Sequence, residues 1–120
     1  MGKIENFRDL LVWQQAHQLV LETYRLTKAF PDEEKYGLVS QMRRAAVSVP
    51  ANIAEGFKRR GHADKVRFYN ISEASLEELK YYFILSKDLG YAANIEQISS
   101  EAESISRLLY RLIESVKRKP

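Results

Sequence analysis

Apolar residues recur every three to four positions along almost the whole chain, the spacing of a helix face rather than the strict alternation of a half-buried strand. The spacing predicts a first helix from about Phe7 to Ala29, with Trp13, Ala16, Val20, Thr23/Tyr24 and Thr27 on one stripe. Val12, Leu19 and Leu26 add a second row and widen the apolar face. Phe30-Pro31 ends this helix, because a proline cannot continue the hydrogen-bond ladder and pushes the residue before it out of helical geometry. Asp32 is the expected N-cap of a second helix that runs to about Arg59, with Glu33 and Glu34 at the positive end of its dipole. Gly61 breaks it. A third helix is expected from about Ala63 to Leu89, its buried stripe read as Phe68, Ile71, Ser75, Leu79, Tyr82 and Ser86, with Gly90 as its left-handed terminator. The fourth opens at Asn94, with Gln97 completing a capping-box pattern. It carries the cleanest stripe: Ile95, Ile98, Ala102, Ile105, Leu108/Leu109, Leu112 and Val116.

Four such helices with short connections are expected to pack as an all-α, antiparallel up-and-down four-helix bundle. The reading is a single domain over residues 1–120, with a fraying basic tail at about 117–120.

The second helix contains a conflict. Pro50 offers no amide hydrogen to the Ala46 carbonyl and would cost about 3 kcal/mol in a helix interior. A break near Val49 and a kink in one continuous helix would both absorb it. The small neighbours Ala45, Ala46, Ser48, Ala51, Ala54 and Gly56 favour the kink, since another helix can approach a bent axis closely. Ser48 could also bond a carbonyl one turn back. Asn52 and Glu55 read either as an exposed polar stripe or as specific hydrogen-bonding groups at a helix junction or subunit interface; Gly56 beside them favours the second.

Composition changes this picture chiefly through charge. The overall formal charge of +3 conceals segregation. Residues 1–42 hold 5 basic and 6 acidic side chains, net −1, and residues 43–67 hold 7 and 2, net +5. Residues 68–106 hold 2 and 7, net −5, and residues 107–120 hold 5 and 1, net +4. In an antiparallel bundle the turn after the second helix and the end of the fourth share one pole. Lys58, Arg59, Arg60, Lys65 and Arg67 would then meet Lys117, Arg118 and Lys119 there, a surface suited to nucleic-acid phosphates. Phe57, Phe68 and Tyr69 lie near enough to offer stacking surface, although Phe68 reads as core. Arg43 and Arg44 fall mid-bundle and are expected to pair with acidic residues such as those of the third helix.

Signs of catalysis are missing from the sequence. No glutamate has a histidine three residues later, as a di-iron bundle would require. Glu73 and Glu77 share a face but not within a Glu-Glu-x-x-Glu pattern, and no arginine stands five to seven residues before His17 or His62. The chain has no cysteine, hence no thiolate metal site or disulfide. The expectation is a protein without enzymatic activity, metal or cofactor. The opening MGKIENFRDL lacks an apolar signal core and no apolar run is long enough to span a bilayer, so a cytoplasmic location is expected.

Particular residues also carry a resemblance. Phe7-Arg8-Asp9-Leu10, Val12-Trp13-Gln14, Tyr36-Gly37-Leu38, Arg43-Arg44-Ala45, Ser48-Val49-Pro50, Asn52-Ile53-Ala54-Glu55-Gly56, Ser75-Leu76-Glu77-Glu78-Leu79 and Leu89-Gly90-Tyr91 together resemble the four-helix bundle proteins encoded by intervening sequences of bacterial 23S rRNA genes, also called S23 ribosomal proteins. Ala74 departs from the glycine common there and would widen helix packing slightly. The resemblance implies a homo-oligomer, a pentamer of bundles, with no known catalytic activity. Similar proteins include accessory factors of diversity-generating retroelements, basic pentamers that bind RNA and reverse transcriptase. Two functions therefore follow as expectations: a nucleic-acid-binding oligomer, with structured RNA as ligand, and a scaffold for a protein partner such as a reverse transcriptase.

Overall fold

The computed structural model describes residues 2–120 as four α-helices, with no strand among them: α1 Leu11–Thr27, α2 Leu38–Lys58, α3 His62–Asp88 and α4 Glu96–Lys117. The chain is all-α, a four-helix bundle 49 Å long.

The first expected boundary moves. Phe7–Asp9 forms a separate 3-10 turn, closed by Asn6 Oδ1 accepting from the Arg8 amide (2.9 Å) and Asp9 Oδ2 accepting from the Glu5 and Asn6 amides (2.9 and 3.1 Å). Those two amides hold the Asp9 carboxyl below its usual range. Leu10 is then extended before α1 begins. Asp32 does not cap α2 either. Asp32–Glu34 is a 3-10 turn, and α2 starts at Leu38. The reason lies in Glu34: its carboxylate accepts from the Leu38 amide (3.1 Å) and the Tyr91 hydroxyl (2.9 Å), tying the linker to the loop after α3.

α2 runs without a break through Pro50. Its hydrogen bonds to α3 pair falling numbers with rising ones: Phe57 with Lys65, Val49 with Ser72, Ser48 with Ser75, Met42 with Ser86. Ser48 therefore does not bond back along its own helix. Its hydroxyl meets Ser75 Oγ at 2.7 Å, while Asn52 Nδ2 donates to Ser48 O and Oγ (2.9 and 3.0 Å).

The core runs along the inner faces. Leu19 and Ala16 of α1, Met42, Val49 and Ile53 of α2, Leu79 and Phe83 of α3, and Ala102 and Leu109 of α4 are fully buried. The α3 stripe keeps Leu79 and Ser86 as expected but is otherwise shifted by one residue: Tyr69, Ser72, Leu76 and Phe83 face inward, while Ile71 is exposed and Phe68, Ser75 and Tyr82 are half-buried. Ser72 and Ser86 can be buried because their hydroxyls donate to the Val49 and Tyr82 carbonyls (2.8 and 2.7 Å).

Gly90 ends α3 at φ 81, with the Tyr91 amide donating to Ser86 O and the Gly90 amide to Lys87 O (both 2.9 Å), a Schellman closure that favours glycine. α4 lacks its expected box. Asn94 Oδ1 accepts from the Glu96 amide (3.0 Å), but Ile95 is the N-cap and Gln97 turns to Glu101. At its other end α4 includes Lys117, and the Arg118 and Lys119 amides donate to Glu114 O and Val116 O (3.1 and 3.2 Å). No helix of the described residues is long and apolar enough to cross a membrane.

Candidate nucleic-acid interface

The α2–α3 turn is built by Arg59, whose extended backbone leaves α2 while its amide donates to Gly56 O (3.2 Å). Gly56 itself is dictated by packing. A Cβ there would lie 2.6 Å from Cε1 of Tyr69, which is buried with its phenol pushed up to about 12 by burial. The close neighbour that Gly56 signalled is therefore this ring, within the chain.

Of the cations expected at this pole, three are committed internally. Lys65 Nζ donates to the Phe57 and Gly56 carbonyls (2.7 and 3.2 Å), capping the C-terminus of α2. Arg59 pairs with Glu55 (3.2 Å) and lies 3.8 Å from Asp64. Arg67 forms two hydrogen bonds to Asp64 (3.0 and 3.1 Å). The guanidinium groups of Arg59 and Arg67 stand over the Phe68 ring at 4.5 and 4.4 Å. Phe68 is thus half-buried beneath two arginines, and Tyr69 is the core residue instead.

The remaining cations point to solvent. Lys58, Arg60, Lys117, Arg118 and Lys119 are exposed and make no ion pair among the described residues. The two basic blocks do meet. The Lys80–Glu103 ion pair (2.9 Å) sets α4 beside α3 so that its end approaches the start of α3, and the Lys65 pKa is lowered by burial chiefly and then by the charge of Lys119.

The other predicted residues lie elsewhere. Arg43 does not pair with a carboxylate of α3: Nε donates to Thr27 Oγ1 (2.9 Å), and the guanidinium lies over the Tyr24 ring at 4.5 Å. Its position on the α1-facing side of α2 sets that choice. Arg44 is exposed and makes no ion pair among the described residues. Pro50 is buried, and Asn52 joins the Ser48–Ser75 link between α2 and α3. Glu55 bonds only along its own helix, to Arg59, among the described residues. Ala74 faces outward and does not widen packing within the chain.

One pair went unseen in the sequence. Glu22 of α1 and Glu101 of α4 line one groove, and burial first, then the neighbouring Glu101 carboxyl, pushes Glu22 up to about 7. Their wide separation along the chain gives no local signal. Glu73 and Glu77, the carboxylates the sequence does place together, diverge in use, since Glu77 joins Lys80, which also bridges to Glu103 of α4 (3.5 and 2.9 Å). Among the described residues no three potential ligands converge where a metal ion could sit.

Residues 8–111 match the family described as the 23S rRNA-intervening sequence protein. The chain belongs to that family. A solved member of the S23 ribosomal protein family from Bacteroides thetaiotaomicron, described as a protein with unknown function, superposes with a TM-score of 0.79 at 23% identity. The match covers 86% of this intervening-sequence protein and 98% of that chain. At this identity the likeness is one of fold. No curated protein matches.

Proposed function

We propose that this intervening-sequence protein is a non-enzymatic, cytoplasmic homo-oligomer that binds structured RNA at the pole formed by the α2–α3 turn and the end of α4. The supporting observation is the separation of labour among its cations. Arg59, Lys65 and Arg67 are consumed in building the turn, whereas Lys58, Arg60, Lys117, Arg118 and Lys119 add charge with no internal partner among the described residues. Uncompensated like charge disfavours the compact state, so such a cluster fits a polyanionic ligand.

Self-association is supported by the outer side of α3. Ile71, Tyr81 and Ile84 are exposed by 40, 56 and 53%, and they make this helix apolar on two sides. A helix apolar on its outer side as well is suited to a second surface beyond its own bundle. A pentamer is the assembly we propose. The same surface would serve a protein partner such as a reverse transcriptase, which is the second reading.

Fluorescence anisotropy with a structured RNA hairpin across a salt series tests the first. If the five solvent-facing cations carry the contact, the logarithm of affinity should fall with that of salt at a slope of roughly −3 to −5. Lys58→Gln/Arg60→Gln should shallow it by about 2. Absence of binding at low salt, or affinity indifferent to salt, removes the reading. A protein partner captured equally well after nuclease treatment would favour the second.

A further inference from the structure

Between the end of α1 and the start of α2 lies an open groove of about 700 Å³, whose lining includes Tyr24, Lys35, Tyr36, Ser40, Arg43 and Arg44. We propose that it binds an unpaired nucleotide of single-stranded RNA, the base stacking on Tyr36 and the phosphates held by Lys35 and Arg44. The inference rests on the reading that this chain meets RNA, but it concerns a different surface. Arg43 and Arg59 are 16 positions apart on and just past α2, about 24 Å along a helix axis.

Three observations converge there. Tyr36 is 87% exposed, the most exposed large apolar side chain among the described residues, so its ring offers an open face. Base–aromatic stacking needs such a face and tolerates any base. Second, the groove has three cations and no acidic lining residue. Lys35 and Arg44 are exposed and make no ion pair among the described residues, and the Lys35 ammonium stands 5.5 Å from the Tyr36 ring centre. Arg43 is held against Tyr24 and Thr27, which gives the wall a fixed positive charge. Third, the groove includes the first turn of α2. That turn carries no acidic residue and its N-cap, Gly37, supplies no side-chain bond. Glu34 occupies the Leu38 amide, but those of Val39 and Ser40 have no intrahelical acceptor. The Glu34 carboxylate offsets part of the positive helix end, so the two remaining amides add only modestly to the cations. An acidic peptide would answer the charge but leave the open ring without purpose, whereas a nucleotide uses both.

The test measures anisotropy of a labelled oligouridylate of about 8 nucleotides, a length within the usual single-strand site size, beside the RNA hairpin. Variants of the full chain are Tyr36→Ala, Tyr36→Phe, Arg44→Gln and the pole pair Lys58→Gln/Arg60→Gln, each checked for helix content. Tyr36→Ala should weaken the single strand by roughly 5- to 150-fold, the loss of one stacked base, and leave the hairpin unchanged. Tyr36→Phe should retain binding, and Arg44→Gln should shallow the single-strand salt slope by about 0.7. The pole pair should weaken the hairpin. Unchanged oligouridylate binding by Tyr36→Ala overturns the groove, as does polyglutamate binding with the same dependence on Tyr36. An unaffected hairpin in the pole pair overturns the pole alone.

Discussion

At Gly56 a single hydrogen atom separates a stable helix junction from a clash. Alanine would gain about 1 kcal/mol in helix propensity, but its Cβ would meet the buried Tyr69 ring at 2.6 Å and Phe68 Cβ at 3.2 Å. Overpacking of this kind typically costs 1–3 kcal/mol. Gly56→Ala should therefore lower stability by about 1 kcal/mol in chemical denaturation, and in a Tyr69→Leu background the same change should become neutral or stabilising. A constant penalty in both backgrounds would show that the ring is not the cause. Glu22 is a second residue with a local consequence. Its carboxyl is raised by burial and by Glu101, so its contribution is fully present below the ordinary carboxylate range and is lost as pH rises toward 7. Glu22→Gln should raise the melting temperature at pH 8, equivalent to about 1 kcal/mol after allowance for solvent screening, and have little effect near pH 4. Equal effects at both pH values would exclude ionisation. The sequence pointed to something close against Gly56 but could not name Tyr69, because a contact between helices leaves no mark in local spacing. Glu22 and Glu101 were invisible for the same reason.

At the scale of an element, α3 shows how a correct helix can be assigned the wrong face. Its existence and end were legible, since Gly90 stops it at a positive φ. The buried stripe was legible at Leu79 and Ser86 but not elsewhere, because Phe68, Ser75 and Tyr82 compete with Tyr69, Leu76 and Phe83 one position away, and Ile71 with Ser72. Ser72 joins the buried face because its hydroxyl finds a backbone acceptor inside the bundle, as that of Ser86 does. The starts of α1 and α2 were misplaced because carboxylates close turns of their own: Asp9 accepts from the Glu5 and Asn6 amides, and Glu34 accepts from Leu38 and, across the fold, from Tyr91. Lys65 shows a similar division between charge and structure. It reads as an RNA contact in the sequence, yet its ammonium holds the last carbonyls of α2. Lys65→Met should cost about 2 kcal/mol, the range for hydrogen bonds to a charged group. Lys58→Gln, whose side chain is exposed, should stay within about 0.5 kcal/mol. Thermal unfolding of the two variants at equal salt separates a capping role from a purely electrostatic one; equal melting temperatures would contradict it.

Across the whole molecule, charge is sorted along the chain while apolar surface is sorted around it. The acidic stretch 68–106 spans most of α3 and the start of α4, and the exposed Ile71, Tyr81 and Ile84 lie within it. The basic pole occupies one end. If copies associate through the outer side of α3, each retains its pole, and an RNA that reaches two poles binds the second at high effective concentration. Assembly and RNA affinity are then linked although their surfaces are separate. Tyr81 lies 16 residues along α3 from Lys65, about 24 Å, so its replacement cannot remove a pole contact directly. Tyr81→Asn/Ile84→Asn keeps the net charge and leaves the core residues Leu79 and Phe83 in place. The variant should scatter light as a smaller species at micromolar concentration with unchanged helix content. Its affinity for a long structured RNA should fall by at least about 100-fold, while a hairpin too short to bridge two poles should bind each as well as before. Equal mass would place the assembly surface elsewhere. Reduced mass with undiminished affinity for the long RNA would mean that a single pole holds it alone.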